Sequence, residues 1–139
     1  MSSIAVVDYG SGNLHSVLRA ARAAVAGTGA EVVLTSDPAA VDAADRVIFP
    51  GQGAMGDCMK HLNGSGLKES IEAALRAKPV FAICIGLQML FEKSDEDDCA
   101  GLGLSRGKVL RFPEAALEIP SGGKLKVPQM GWNTVQQRQ

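Results

Sequence analysis

The chain has 139 residues, 46% of them hydrophobic and 4% aromatic, so its length fits one domain with a core of aliphatic side chains. Its 14 basic and 15 acidic residues give no electrostatic reason to expect nucleic acid or an anionic membrane as the main partner. No apolar run approaches the roughly 20 residues of a membrane span, and the N-terminus has no secretory pattern. Three cysteines at unrelated spacings favour neither a disulfide framework nor a metal site. These features predict a cytoplasmic protein with reduced thiols.

Short apolar segments alternate with amphipathic ones along the first two thirds of the chain. Four of the apolar segments are predicted strands, at residues 4–8, 31–35, 46–49 and 79–83. Uninterrupted apolar strands are typical of parallel sheets buried on both faces. Helical spacing predicts helices over residues 14–25 and about 66–77. The alternation predicts an α/β fold, a doubly wound and mostly parallel sheet with flanking helices, in a single domain over residues 1–139.

The pattern changes beyond residue 93. Residues 95–98 are all acidic, and a solvated loop is the better interpretation because they lack the spacing of a calcium loop. Residues 107–112 alternate between apolar and polar and predict a strand, whereas residues 113–125, with two prolines and two glycines, predict a loop.

Cys84 lies where the fourth strand meets a predicted helix over residues 87–91. A nucleophile on a tight strand-to-helix turn needs small residues two positions before and after it, which here are Ala82 and Gly86. The start of a helix favours the thiolate, and the N–H of Ile85 is in place to stabilise an oxyanion. From these five residues alone, a buried structural cysteine is an equally good interpretation.

A glycine-rich loop, Pro50-Gly51-Gln52-Gly53, follows the third strand. Its glycines let the backbone approach a ligand and turn an N–H inward, although many strand-to-helix loops contain glycine for other reasons. Ligands of open α/β sheets bind at the carboxyl ends of the strands, where this loop and Cys84 would both lie. Cys58 and Cys99 are expected near a helix start and in an exposed loop, without a catalytic role.

The loop at 50–53 together with residues 82–88 resembles the class I (triad-type) glutamine amidotransferases, whose elbow usually has Gly where this chain has Ala82. Within that class, residues 8–14 and 128–133 are similar to the glutaminase subunits of imidazole glycerol phosphate synthases, with Gln129 where His is common. The resemblance implies that Cys84 attacks the side-chain amide of glutamine to form a thioester and release ammonia. It also implies a set of residues around the oxyanion and the glutamine: Gly51, Gln52, Gly53, Ile85 and Gln88.

The same resemblance implies a partner but neither a cofactor nor a metal. The partner is a cyclase subunit with a (β/α)₈ barrel, which receives the ammonia through a channel in histidine biosynthesis. The residues implied at or near that interface are Asn13, Leu14, Met130 and Trp132.

A general base is the component that the sequence does not supply. In the family it belongs to a His-x-Glu pair near the C-terminus, and neither His15 nor His61 has that spacing, so surface histidines are the better interpretation. We therefore expect a chain whose C-terminal part is missing, inactive alone, with an exposed apolar sheet edge that promotes association. Two alternatives stay open: a non-catalytic module that docks on the cyclase, and the glutaminase of another triad amidotransferase.

Overall fold

The computed structural model describes residues 1–128 and 131–138, and its strands and main helices lie within the first 109 residues. The elements are β1 (Ser3–Val7), α1 (Leu14–Ala24), β2 (Glu31–Thr35), α2 (Pro38–Ala43), β3 (Arg46–Gly51), α3 (Met55–Ser65), α4 (Lys68–Ala77), β4 (Val80–Cys84), α5 (Ile85–Gln88), β5 (Phe91–Ser94), β6 (Cys99–Ala100) and β7 (Ser105–Val109). Two short 3₁₀ turns complete them, at Glu96–Asp98 and Glu114–Leu117. In this part of the chain, no helix is both long and apolar enough to cross a membrane.

The main sheet has four parallel strands in the order β2-β1-β3-β4. The chain moves from β1 outward to β2 and then back across to β3. Because crossovers between parallel strands are right-handed, this reversal places α1 and α2 on opposite faces of the sheet. The predicted doubly wound, mostly parallel α/β fold is confirmed, and the reversal of strand order creates a crevice at the carboxyl ends of β1 and β3.

One face of this sheet carries the core. Its side chains pack with α2, α3 and α4 in one cluster of buried residues, which includes Ala5, Val7, Val47, Phe49, Val41, Met55, Leu62, Leu67 and Ile71. The opposite face is covered by α1, which contacts β1 and β2. The apolar stripe predicted along α1 is present, but all its members are only half-buried. The two faces are thus covered to different depths.

β4 departs from the prediction that every apolar strand is buried on both faces. It lies at the edge of the described sheet, where only β3 pairs with it, and the side chain of Phe81 is 66% exposed. β3 has strands on both sides, and its Val47 and Phe49 are fully buried on the core face, whereas Ile48 on the opposite face is only half-buried. An apolar pattern therefore identified both strands without distinguishing a central strand from an edge strand.

The second sheet is small and has the order β6-β5-β7, with β5 antiparallel to β6 and parallel to β7. The strand predicted over residues 107–112 begins and ends earlier, at Ser105 and Val109, and Leu110 and Phe112 are exposed. The acidic residues 95–98 are exposed as predicted. Cys99, expected in an exposed loop, is instead half-buried in β6, and this burial raises the pKa of its thiol.

Of the helices between β2 and β4, α2 was not predicted, and α3 was indicated only by the helix start expected near Cys58. α2 begins at an Asp-Pro pair in which the Asp37 side chain accepts a hydrogen bond from the N–H of Ala39, a common helix start. α3 contains Gly56, Asn63 and Gly64, which lower its helix propensity. It forms because its buried residues recur at helical spacing, at positions 55, 58, 59 and 62.

Candidate active site

Cys84 occupies a strained backbone conformation at the end of β4. Its φ and ψ angles are 56° and −116°, a region that residues with a side chain rarely adopt. The turn leaves the cysteine exposed while the next residue, Ile85, is buried at the start of α5. A strained strand-to-helix turn that presents a side chain to solvent is the geometry of a nucleophile elbow.

Two glycines make this turn possible. A Cβ on Gly86 would overlap the carbonyl oxygen of Phe49, so the predicted need for a small residue here is confirmed. A Cβ on Gly51, the register partner of Cys84 on β3, would lie 2.6 Å from the backbone nitrogen of Gly86 and 2.9 Å from the hydroxyl of Tyr9. The end of β3 and the turn after β4 therefore touch through their backbones, without intervening side chains.

The helix predicted over residues 87–91 is wrong in extent, because α5 has only four residues and ends at Gln88. The carbonyls that would continue it are used by another segment. The Met89 carbonyl accepts from the N–H of Leu102 at 2.7 Å, and that of Leu90 accepts from Ser105 at 2.8 Å. Tertiary pairing with the strand region thus ends the helix after one turn, and its dipole is smaller than that of the predicted helix.

The glycine loop runs from the end of β3 to the start of α3. Gly53 has a φ of +97°, in the left-handed region that favours glycine. The carbonyl oxygen of Gln52 accepts hydrogen bonds from the Ser11 hydroxyl at 2.9 Å and from the Cys58 thiol at 3.2 Å. Beyond the loop, the N–H of Met55 donates to the Glu96 carboxylate at 3.0 Å. The loop is therefore held at both ends by side chains from distant parts of the chain.

Tyr9 lies beneath the loop and the cysteine turn. Its ring packs against Phe49, with centroids 5.4 Å apart, and its hydroxyl lies 3.7 Å from the sulfur of Met89. Burial is the main cause that raises the pKa of its hydroxyl, and the neighbouring thiol of Cys58 raises it further. Tyr9 is therefore neutral over the physiological range and acts here as a hydrogen-bonding core residue.

A match to a protein-family model identifies the arrangement of the glycine loop and the Cys84 turn. A family model described as the CobB/CobQ-like glutamine amidotransferase domain matches residues 5–109, which include the glycine loop and the Cys84 turn. The chain belongs to the glutamine amidotransferase family. This match confirms the class that the loop and elbow motifs predict.

Curated relatives narrow the likeness within the amidotransferases. Imidazole glycerol phosphate synthase subunit HisH of Chromobacterium violaceum is 55% identical over 134 residues, which are 96% of this chain and 62% of the relative. The subunit of the same name from Dechloromonas aromatica is 54% identical over 98% of this chain and 62% of its own length, and that of Neisseria meningitidis serogroup B is 55% identical over 97% and 64%. The chain thus spans less than two thirds of the length of these relatives.

The residues predicted to surround the substrate of an amidotransferase fall into one region. The pairing of β3 with β4 brings Gly51 beside Cys84, and Gln52 and Gly53 follow as exposed residues. Ile85 begins α5, and Gln88, half-buried, ends it. Among the described residues, no group of three His, Cys, Asp or Glu side chains could hold a metal ion.

The residues predicted for a partner interface belong to two separate parts of the chain. Asn13 is exposed and caps α1, its side chain accepting from the N–H of Ser16 at 3.4 Å, and Leu14 is half-buried on that helix. Trp132 is fully exposed in the last part of the chain. Met130 lies outside the described residues.

Both histidines are exposed on helices, as the sequence indicates. His15 lies in the first turn of α1, and His61 lies in α3 with its ring against the Gly10 backbone. Within residues 1–128 and 131–138, neither makes a hydrogen bond to Cys84. No pairing of a histidine with the thiol is therefore present in this part of the chain.

Sequence reasoning missed the side chains that support the loop, namely Tyr9, Ser11, Cys58 and Glu96. Ser11 belongs to a motif already singled out, but its spacing carries no sign of a partner 41 residues away. Cys58 was expected near a helix start and is a fully buried residue of α3. The acidic run gave the only available signal for Glu96, since carboxylates are favoured at the start of a helix.

Proposed function

We propose that this chain carries the nucleophile and the oxyanion-binding loop of the glutaminase subunit of an imidazole glycerol phosphate synthase. The observation that carries the proposal is the strained turn at Cys84, exposed to solvent and held against Gly51 by backbone packing. Similarity to three HisH subunits over nearly the whole chain supports the choice of this branch of the family.

The proposed reaction begins with attack of the Cys84 sulfur on the side-chain amide carbon of glutamine. The tetrahedral intermediate collapses with loss of ammonia, whose nitrogen takes the thiol proton, and leaves a glutamyl thioester that water hydrolyses to glutamate. We assign the oxyanion to the backbone around Gly51, Gln52, Gly53 and Ile85, because donors fixed before the reaction stabilise developing charge most effectively. Gln88, one helical turn after the nucleophile, is assigned to the glutamine.

The thiol proton requires a general base before attack. No histidine of the described residues makes a hydrogen bond to Cys84, and the His-x-Glu pair of the family has no counterpart in these 139 residues. We therefore propose that the chain as it stands releases ammonia from glutamine no faster than its Cys84→Ala variant.

The cytoplasmic location of the protein stays a prediction.

We further propose a cyclase subunit with a (β/α)₈ barrel as the partner that takes up the ammonia. The names of the relatives as synthase subunits and the exposure of Asn13 and Trp132 support this proposal. Leu14 and Met130 belong to the same proposed interface. A fragment that docks on the cyclase without hydrolysing glutamine is the second candidate, and the exposed Trp132 is the observation that favours it.

Covalent labelling with a chloroketone analogue of glutamine tests the nucleophile. We expect the label on Cys84, with chloride displaced, and protection by L-glutamine but not by D-glutamine. Cys99→Ser is the matched control because Cys99 is a half-buried thiol away from the turn. Label on Cys99 in preference to Cys84, or a rate that L-glutamine does not lower, would contradict the assignment.

Ammonia release separates the two candidate functions. Glutamine turnover by the chain that disappears in Cys84→Ala would rule out the docking-only function and also the proposed need for a base outside these residues. No turnover, with cyclase binding that Trp132→Ala weakens, would support docking by this chain.

A further inference from the structure

The ammonium group of Lys78 holds the segment that joins α2 to β3. It donates to the carbonyl oxygens of Val41 at 3.3 Å, Asp42 at 2.7 Å and Ala44 at 2.7 Å. An ammonium has three hydrogens, and these carbonyls use all of them. Within residues 1–128 and 131–138, the structure pairs Lys78 with no carboxylate. The lysine therefore binds the backbone of a distant segment and not an acidic side chain.

Two of these carbonyls, those of Val41 and Asp42, lie at the end of α2. The last carbonyls of a helix have no partner within it, and the helix dipole favours a cation beside them. Lys78 reaches them from 36 positions beyond Asp42. The third carbonyl, that of Ala44, comes just before β3 begins at Arg46. One ammonium thus joins the end of a helix to the start of a central strand.

The backbone of Lys78 restricts the direction of this side chain. Its N–H donates to the Ala74 carbonyl at 2.9 Å and ends α4, and its φ and ψ angles of −144° and 164° are extended. A residue before proline is restricted to such a conformation, and Pro79 follows it. The Pro79 carbonyl accepts from the N–H of Val47 on β3 at 3.1 Å, directly before β4 begins. Lys78 is therefore fixed to the start of β4 by its backbone and to the start of β3 by its side chain.

The sequence of β4 does not by itself determine the register of this strand on β3. All residues of Val80–Cys84 are hydrophobic, and β4 lies at the edge of the described sheet. Because side chains alternate between the faces with a period of two, a shift of two residues would keep every side chain on its face. Such a shift would move Cys84 by about 6.6 Å relative to Gly51, its observed register partner. Another contact has to favour the observed register.

The packing at the far end of β4 permits this register without enforcing it. Gly86 lets the Phe49 carbonyl approach closely, but a missing side chain supplies no attraction. Hydrogen bonds from a charged donor are roughly twice as strong as neutral ones, and Lys78 places three of them between the two strand starts. We propose that Lys78 is a positioning residue whose ammonium fixes the register of β4 on β3 and thereby keeps Cys84 opposite Gly51. The consequence for glutamine chemistry rests on the proposed function, whereas the register does not.

Cross-strand nuclear Overhauser contacts test the register without any reaction. Lys78→Ala removes the ammonium, and Lys68→Ala is the matched control because Lys68 begins α4 with its ammonium 4.0 Å from the Glu72 carboxylate. The contacts between Phe49 and Ala82, which are register partners, should weaken or disappear in Lys78→Ala and persist in Lys68→Ala. Unchanged contacts in a folded Lys78→Ala would overturn the inference.

Cations added to the solution separate the role of the ammonium from a general loss of stability. n-Propylammonium supplies the atoms that Lys78→Ala lacks, including three N–H donors, whereas tetramethylammonium has the same charge and no donor. We expect only n-propylammonium to restore the contacts between Phe49 and Ala82. Ile71→Ala, which opens a cavity at a fully buried position of α4, should lower stability and leave these contacts intact. Equal restoration by both cations, or equal loss of the contacts in Ile71→Ala, would contradict a specific role of Lys78.

Labelling of Cys84 extends the test to the site. The chloroketone analogue of glutamine needs the cysteine beside the glycine loop, whereas iodoacetamide needs only an exposed thiol. We expect Lys78→Ala to lower the chloroketone rate about tenfold, the order of effect of losing a hydrogen bond to a charged group, with the iodoacetamide rate unchanged. Lys78→Gln, whose amide keeps two donors without the charge, should lie between Lys78→Ala and the wild type, and it replaces Lys78→Ala if that variant does not fold.

The two reagents and the nuclear Overhauser contacts distinguish failure of this inference from failure of the proposed function. Equal loss of both labelling rates, or loss of neither, would refute the positioning role of Lys78. Failure of L-glutamine to protect the wild-type thiol would instead count against the proposed function, and the contacts between Phe49 and Ala82 would then decide the register alone.

Discussion

The main body of the chain, residues 3–109, and the C-terminal segment, residues 110–138, differ in how their structure is held. In the main body, most strands pair in parallel, and buried side chains from four helices pack together with those of the main sheet. In the C-terminal segment, every described residue is exposed except the half-buried Leu117. The contacts found within it are local, and they include a β-bridge between Glu118 and Lys124 and an ion pair between Lys124 and Glu114.

This difference affects the residues that we propose as functional. The proposed nucleophile Cys84 lies in the main body, where backbone packing against β3 constrains its turn. The side chain of Trp132, the one tryptophan of the chain, is fully exposed, and no buried contact holds it in place. A partner surface is the kind of element that can obtain its order from the partner.

The largest expected effect is that of Gly86→Ala. The new methyl group would overlap the Phe49 carbonyl oxygen, which belongs to the backbone of a central strand and cannot move without disturbing the sheet. We expect a loss of at least about 3 kcal/mol of unfolding free energy, or failure to fold. Urea denaturation followed by circular dichroism measures it.

Gly64→Ala is the matched control for that substitution. Gly64 lies in α3 with nothing within 4 Å of its missing Cβ, so alanine should stabilise the helix by about 0.5 to 1 kcal/mol. If both glycine substitutions changed the unfolding free energy in the same direction, close backbone packing at the Cys84 turn would not explain the effect of Gly86→Ala.

Two leucines compare the regions directly. Leu62 is fully buried in α3, and Leu62→Ala should cost about 3 kcal/mol through lost transfer energy and an unfilled cavity. Leu125, 56% exposed in the C-terminal segment, should lose about 0.5 kcal/mol or less on the same change. Equal losses in chemical denaturation would show that the C-terminal segment contributes to the cooperative core.

The sequence was sufficient to predict the strands of the parallel sheet and the position of the cysteine turn. Apolar runs identify strands because a parallel sheet buries them, and the small residue at position 86 follows from the steric demand of an elbow. The pattern could not give the conformation of Cys84, nor the contact between Gly51 and Gly86, which depends on the register of β3 with β4.

Contacts between polar residues that are distant in the chain could not be predicted from the sequence either. Ser11 and Gln52 are 41 positions apart, as are Met55 and Glu96, and each pair joins a side chain to a backbone group. A backbone acceptor has no residue type, so composition and periodicity carry no sign of it. The predicted extent of α5 was wrong for a related reason, since the carbonyls of Met89 and Leu90, just after the helix, accept hydrogen bonds from residues after position 100.

Glu96→Ala tests one of these long-range contacts. Ala54 offers no side-chain cap at the start of α3, and the Glu96 carboxylate takes that place by accepting from Met55. Loss of this cap should cost about 1 kcal/mol, measured by thermal or urea unfolding. Lys124→Ala, which breaks an exposed local pair in the C-terminal segment, should cost no more than about 0.5 kcal/mol. A larger effect at Lys124 would reverse the ranking of the two regions.

The smallest expected effect concerns an exposed carboxylate whose contacts are long-range. Asp45 accepts from the backbone N–H and the hydroxyl of Ser3, and these bonds lower the pKa of its carboxyl below the usual value of 3.8. A carboxylate with a lowered folded pKa adds stability above its unfolded pKa and loses it as the pH falls through the folded value. The wild type should therefore be more stable than Asp45→Asn at pH 6, and the gap should close as the solution is acidified below about pH 4.

Glu114→Gln is the control for Asp45→Asn, because its partner Lys124 lies only ten residues away within the exposed C-terminal segment. The Asp45 contact joins the starts of two paired strands, whereas the Glu114 pair lies within the exposed segment and must order two free side chains. Urea midpoints at pH 6 and pH 3.5 should thus show a pH-dependent gap for Asp45→Asn that exceeds any for Glu114→Gln. A gap of equal size at both sites would mean that attachment to the paired strands does not determine the contribution of an exposed carboxylate here.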